Sequence, residues 1–266
     1  MNVLITGASG GLGRALAAEC AGRGWNLFLT DINATGLDAI RAGLQRRYHN
    51  RTDVKACDLT DEDSVSSLLD KFDASDYRFD MLLNVAGCDF EGSFVDRLDR
   101  EIQKIVMLNI CATLHITHAL LNRRQSDHRF YLVFVSSLAS FYPMPLKATY
   151  AASKRFLLDL ACALKEELND SNVQVLSLCP GGLTTTEEAM EKIKAQGLWG
   201  DLTTNRLEIV ARETIDRALA GHSLYIPGIA NRALWYLGTF VPRRLIAHLL
   251  YQRWKKALQT SLHITT

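Results

Sequence analysis

The chain has 266 residues, 48% of them hydrophobic and 22% charged, and a net charge of +1. This suits one large soluble α/β domain with a well-buried core and leaves little room for a second. The charge is unevenly placed. Seven of the 30 basic residues and none of the 29 acids lie beyond Asp216, so residues 1–216 carry −6 and the tail +7.

Asn2 to Thr6 is an apolar strand that runs into Gly7-Ala8-Ser9-Gly10-Gly11-Leu12-Gly13, followed by helix-period residues Leu16, Ala17 and Cys20. Strand, glycine turn and helix in that order form a phosphate-binding context: glycines let backbone N–H groups approach a pyrophosphate, and the helix N-terminus adds positive potential. A second strand, Asn26 to Thr30, ends at Asp31. An acid there suits the two ribose hydroxyls of NAD and repels the 2′-phosphate of NADP. The two positions where a cation could offset that repulsion hold Gly10 and Ile32, so NAD is favoured over NADP.

The alternation continues with a helix over 34–48, a strand from Asp53 to Cys57 and a helix from Asp61 to Phe72 with Asp61 as N-cap. A strand from Asp80 to Val85 and a long helix over 97–122 follow, then Phe130 to Val135, six apolar residues that fit a strand buried on both faces. Next come a helix holding Tyr150, a strand from Val173 to Cys179 that breaks at Pro180-Gly181, and a last strand around Leu224 to Pro227. Strands alternating with helices predict one doubly wound parallel sheet with its ligand beyond the carboxyl ends of the strands. Residues 1–228 form that domain and residues 229–266 a basic helical extension of it.

Tyr150 and Lys154, four residues apart, fall on one face of their helix. A nearby cation favours the phenolate and lowers a tyrosine pKa from about 10. Ser136 and Ser137 close the Phe130 strand, and Ser137 lies thirteen residues before Tyr150. The set Thr6-Gly7-x-x-x-Gly11-x-Gly13, Asp58, Asn84-Val85-Ala86-Gly87, Asn109, Ser137, Tyr150-x-x-x-Lys154 and Pro180-Gly181-x-x-x-Thr185 resembles the short-chain dehydrogenases/reductases in their single-domain form. Val85 departs from the second Asn that is commoner there.

The resemblance implies a Rossmann-type fold and an oxidoreductase that interconverts a secondary alcohol and a ketone. Tyr150 would be the general acid/base, Lys154 together with the positive nicotinamide ring would lower its pKa, Lys154 would also hold the nicotinamide ribose, and Ser137 would bond the carbonyl oxygen. Asn109 would hold a water that relays protons behind Lys154. Gly7, Ser9, Gly11, Leu12 and Gly13 would take the pyrophosphate, Asp31 the adenosine ribose, and Asp58 and Leu59 the adenine. Asn84, Ala86, Gly87, Pro180 and Gly181 would line the cofactor cleft, and Thr185 would contact the carboxamide. Ser136 stays ambiguous. An NADPH-dependent carbonyl reductase and a non-catalytic NAD-binding regulatory protein are the alternatives.

The substrate walls are Cys88 to Phe94, Leu138 to Leu146 and Leu183 to about Thr204. Phe90, Phe141, Tyr142, Met144, Leu183, Met190 and Trp199 make them mostly apolar, which points to a hydrophobic alcohol or ketone. The six cysteines are scattered and the histidines unclustered, so neither a disulfide frame nor a metal site is expected. Basic residues before the tail lack aromatic interleaving, so no nucleic-acid partner is expected.

Ile229 to Val241 is apolar nearly all round, and Arg243 to Leu258 reads as a basic amphipathic helix. Neither reaches the roughly 20 apolar residues of a spanning helix. A membrane surface, a subunit contact and a cap over the cleft all fit residues 229–258. No signal peptide is expected, since Val3-Leu4-Ile5 already reads as a strand. The expectation is a cytoplasmic homo-oligomer, with peripheral membrane contact left open.

Overall fold

In a computed structural model, the described residues are 1–75, 77–124, 127–183 and 204–264, with side chains described as far as Trp254 in the last helix. The strands are β1 (Asn2–Thr6), β2 (Asn26–Asp31), β3 (Thr52–Ala56), β4 (Met81–Asn84), β5 (Phe130–Val135), β6 (Val173–Leu178) and β7 (Leu224–Tyr225). They form one sheet in the order β3-β2-β1-β4-β5-β6-β7, and every pair is parallel. The connection reverses between β1 and β4, where Thr6 stands in register with Asn84. In such sheets the crevice at the reversal, beyond the strand carboxyl ends, is where ligands bind.

The sheet is covered on both faces, as all-parallel sheets require. On one face, α1 (Gly11–Gly22) and α7 (Leu207–Leu219) bury Leu16, Cys20, Val210 and Ile215 against Val3, Ile5, Leu27 and Leu83. On the other, α3 (Glu62–Ala74), α5 (Thr113–Arg123) and α6 (Ala148–Glu167) bury Leu68, Phe72, Ile116, Leu120 and Leu157 against Leu4, Phe28, Leu82 and Phe134. Each fully buried Leu or Phe contributes about 1.5–3 kcal/mol. Around Phe28, the rings of Phe72, Tyr77 and Phe79 meet it edge-on at 4.8–6.2 Å.

Asp61 is the N-cap of α3, its carboxylate accepting the Ser64 N–H at 2.8 Å. Asp31 is the last residue of β2, one beyond the expected end, and β7 stops at Tyr225, before Ile226-Pro227. The long helix expected over 97–122 is divided: α4 (Asp99–Val106) and α5 flank a wider π-helical stretch, Met107–Ala112. A π stretch inserts an extra residue per turn and changes where its side chains point; Asn109 sits in it. The tail forms α8 (Ile229–Gly238) and α9 (Arg243–Ile264); Pro242, which lacks an N–H, separates them.

Candidate active site

The glycine loop is built for close approach. Gly7 has φ +63°, and a Cβ there would stand 2.7 Å from the Ala86 backbone; at Gly13 it would stand 2.3 Å from the Gly7 carbonyl oxygen. Thr6 ties the loop to the end of β4, its hydroxyl accepting the Val85 and Ala86 N–H groups at 3.1 and 3.2 Å. Gly10 is the N-cap of α1 and no side chain caps it, so first-turn N–H groups that lack helical partners face the crevice. Leu12 and Leu59 are buried in the two cores, so only their backbones can face a ligand.

Asp31 is pinned by the backbone: its Oδ2 accepts the Ser9 N–H at 2.9 Å and its Oδ1 the Asn33 N–H at 3.0 Å. Further lone pairs remain for ribose hydroxyls. Asp58 accepts both the hydroxyl and the N–H of Thr60, which hold its carboxyl below the usual range. Asn84 turns its amide to the Thr117 hydroxyl at 3.0 Å and stitches β4 to α5. The Pro180 carbonyl accepts the Leu138 N–H at 2.8 Å, which fixes the end of β6 beside the turn that follows Ser137; Gly181 follows it, half-buried. Thr185 lies outside the described residues. An uncapped helix end, an approach open only to glycine and an oriented ribose acid together fit a dinucleotide.

The four residues that the motifs single out for chemistry converge where β4, β5, α6 and the π stretch meet. The Ser137 hydroxyl, which accepts the Ala139 N–H at 3.1 Å, faces the Tyr150 phenol closely enough to oppose the rise of its pKa. Lys154 is buried, donates to the Val135 carbonyl at 2.9 Å and stands 5.7 Å from the centre of the Tyr150 ring. Asn109, fully buried, accepts the Cys88 N–H at 2.8 Å and donates to the Cys88 carbonyl and the Ser153 hydroxyl, each at 3.0 Å. Both amide protons are thereby used, and one lone pair of Oδ1 is left for a water. A Cβ on Gly87 would sit 3.1 Å from Asn109 Oδ1 and 3.2 Å from Lys154 Nζ, so glycine keeps that space open. Ser136 is no longer ambiguous: its hydroxyl is buried and donates to the Lys154 carbonyl at 2.7 Å, a role in fixing α6.

Burial pushes the Tyr150 phenol up to about 12, and the neighbouring Ser137 hydroxyl partly opposes that shift. Burial likewise pulls Lys154 down to about 8. A carbonyl-reducing acid needs a proton to give, and a neutral phenol has one at neutral pH.

Lys147 escaped the sequence reading. Its ammonium pairs with Asp89 at 2.5 Å and Glu91 at 3.4 Å, and lies 5.8 Å from the centre of the Tyr150 ring and 5.6 Å from that of Trp254 in α9. The usable signal was its position three residues before Tyr150, with two acids just past Asn84-Val85-Ala86-Gly87.

The expected substrate walls separate. Phe90 lines a small cavity of about 30 Å³ with Leu146 and Ile105. Tyr142 lines another of about 490 Å³ with Met144, Ala151, Arg243 and Ala247, and packs on α8, where a Cβ at Gly238 would meet its ring at 2.4 Å. Tyr150 lines neither cavity. Leu183 bridges to Asn205 and packs on the core of the α1 face. Met190 and Trp199 lie outside the described residues.

Known proteins share both the sequence and the shape. A very-long-chain 3-oxoacyl-CoA reductase of Phaeosphaeria nodorum is 32% identical over 200 residues, which are 72% of this chain and 56% of the relative. The chain thus spans little more than half the length of that reductase. A serine 3-dehydrogenase of Agrobacterium fabrum is 32% identical over 67% of this chain and 70% of its own. The solved structure of a short-chain dehydrogenase from Sphingobium yanoikuyae in complex with NADPH superposes with a TM-score of 0.75 at 25% identity, over 91% of this chain and 96% of its own. The family profile described as short chain dehydrogenase matches residues 1–197, the stretch that carries the glycine loop, Asn109, Ser137, Tyr150 and Lys154. On that match and this geometry, the chain belongs to the short-chain dehydrogenase family.

Proposed function

We propose that the protein is an NAD-preferring oxidoreductase that interconverts an apolar secondary alcohol and its ketone. The observation that carries this reading is the Ser137–Tyr150–Lys154 arrangement, which gathers a protonated phenol, a hydroxyl that faces it and a buried ammonium 5.7 Å from its ring centre. Gly7 to Gly13, Asp31 and Gly87 would hold NAD(P), whose chemistry would be to supply or accept the hydride. In the reducing direction Tyr150 gives its proton to the substrate oxygen. Ser137 donates to the same oxygen as negative charge grows there. Lys154 stabilises the phenolate left behind. In the oxidising direction that phenolate takes the alcohol proton.

The preference for NAD rests on the anchored carboxylate of Asp31 and the absence of side-chain cations at Gly10 and Ile32. A second reading, NADPH, draws on Arg14, whose Nε donates to the Ser9 carbonyl at 2.7 Å and brings a cation to the same loop. An apolar substrate is supported by Phe141, which lies 5.9 Å from Trp235, and by the long acyl chain in the name of the Phaeosphaeria relative.

Turnover of steroid, aliphatic, aromatic and sugar alcohols with NAD, read as NADH appearance, tests the reading. Wild type should turn over at least one apolar alcohol. Tyr150→Phe should lose about 10²-fold or more of that rate yet bind NADH as before. An unchanged rate in the variant would overturn the assignment, and tighter binding of NADPH than NADH would overturn the cofactor preference.

A further inference from the structure

The chain beyond β7 turns an apolar face outward as well as inward. On α8 and the turn after it, Ile229, Tyr236, Leu237 and Phe240 are 59–79% exposed. Their spacing places them along one side of the helix. Tyr236 and Phe240 pack edge to face, with ring centres 5.2 Å apart. On α9, Leu245 and Leu249 are 48% and 57% exposed one turn apart. Seven of the large hydrophobics exposed among the described residues fall between Ile229 and Tyr251. Single exposed apolar residues are ordinary, but a contiguous run of them with aromatic side chains marks an interaction surface.

The segment is fastened to the body by its other side. Asn231 donates to the Pro227 carbonyl at 2.8 Å, Trp235 meets Phe141, and Gly238 lets α8 settle on Tyr142. On α9, Ile246, Ala247, Leu250 and Trp254 are half-buried. Core packing therefore does not need the outward row.

Charge decides what covers that row. Arg232 on α8 and Arg244 on α9 are exposed, and no acid occurs after Asp216. Two copies meeting through the same patch would bring arginines against arginines, because a twofold contact is self-complementary. An anionic bilayer offers both partners the patch lacks: acyl surface for Tyr236, Leu237 and Phe240, and headgroup charge for the arginines. The −6 of residues 1–216 also turns the rest of the molecule away from such a surface.

We propose that the outward face of α8 and α9 docks this protein on an anionic lipid surface, with the helices lying in the interface. α8 has only 10 residues, and α9 carries Arg243, Arg244 and Arg253, so lying flat is the arrangement that keeps the cations at the headgroups. The docking helix also touches the catalytic region, since Trp254 packs on Lys147 beside Tyr150.

The experiment is co-sedimentation of the full chain with phosphatidylcholine vesicles made with and without phosphatidylserine, at low and high salt. The expected result is pelleting that requires phosphatidylserine and weakens as salt rises. Replacing Arg232 and Arg244 together by Gln should weaken partitioning about 25-fold, at about fivefold per arginine. Leu237→Ser with Phe240→Ser should abolish it, with the far-UV circular dichroism spectrum and melting temperature of the parent. If the serine pair does not fold, the glutamine pair and the salt titration carry the test alone. Pelleting that ignores lipid charge, or no pelleting, would overturn the proposal. So would a serine pair that converts a dimer to a monomer in sedimentation velocity while wild type ignores vesicles, because that face would then belong to a second copy.

Discussion

Asn109 clasps the backbone of Cys88 from both sides, accepting its N–H at 2.8 Å and donating to its carbonyl at 3.0 Å. The clasp holds the chain just after Gly87, and with it the floor of the site beside Lys154. The π-helical stretch over Met107–Ala112 is what presents the amide there. Asn109→Leu keeps the bulk but strands the Cys88 N–H and carbonyl in a half-buried place, while Ser153 keeps its bond to the Tyr150 carbonyl at 2.7 Å. Each unsatisfied group costs about 1–3 kcal/mol. The expected loss is about 2–4 kcal/mol in urea unfolding, with activity falling too. A loss below about 1 kcal/mol would show that water replaces the amide.

Lys154 should limit stability at neutral pH. Its displacement from 10.5 to about 8 corresponds to roughly 3 kcal/mol held against folding. The sign follows from which state holds the proton. Below about pH 8 both states carry it, and the folded chain bears the whole penalty. Between about 8 and 10.5 only the unfolded chain keeps it, so this contribution improves as pH rises. Lys154→Met removes the charge and also the 2.9 Å bond to Val135, leaving a net gain of about 1–2 kcal/mol at pH 7 and little or none near pH 10.5. Thermal melts at both pH values should show the gain fading, and turnover should be lost at either.

Much of this arrangement was legible in the chain because it repeats simple periods. Phe130 to Val135 is a strand from end to end, as six apolar residues in a buried parallel sheet must be. The glycine loop and the Ser137–Tyr150 spacing place their residues at strand ends, where the crevice lies. Three features did not follow from such patterns. The π stretch carries no distinct periodicity, so Asn109 could be named but its clasp could not. The state of Tyr150 depends on how deeply it is buried, which no spacing encodes. Lys147 reads as an ordinary surface lysine until the fold brings Asp89, Glu91 and Trp254 around it.

Gly13 should tolerate no side chain. A methyl there would press to 2.3 Å of the Gly7 oxygen and 2.8 Å of the Ala8 Cα, both backbone atoms with nowhere to go. Gly13→Ala should destabilise the fold by about 1–3 kcal/mol and weaken NAD(P)H binding more than tenfold. Gly87→Ala is gentler, since its methyl would meet Asn109 Oδ1 and Lys154 Nζ at 3.1 and 3.2 Å. It should lower turnover several-fold with little change in melting temperature. Fluorescence titration with NADH and thermal melting separate the two cases, and equal effects in both variants would contradict this ranking.

The Asp89–Lys147 pair should act on the rate through Tyr150 rather than through substrate contact. Asp89 alone pushes the phenol further up, and the Lys147 ammonium at 2.5 Å offsets that charge. Lys147→Met leaves the carboxylate half-buried beside the phenol, where it makes proton release harder. An unscreened unit charge at this range is worth about 1 kcal/mol, a factor of about five to ten in the rate of ketone reduction. Asp89→Asn in the same chain removes the stranded charge, so the double variant should recover most of the kcat that Lys147→Met loses. Steady-state kinetics on the four members of the cycle measure this coupling directly. If the two losses simply add, with KM rising in each, the pair contacts substrate and its influence on Tyr150 is negligible.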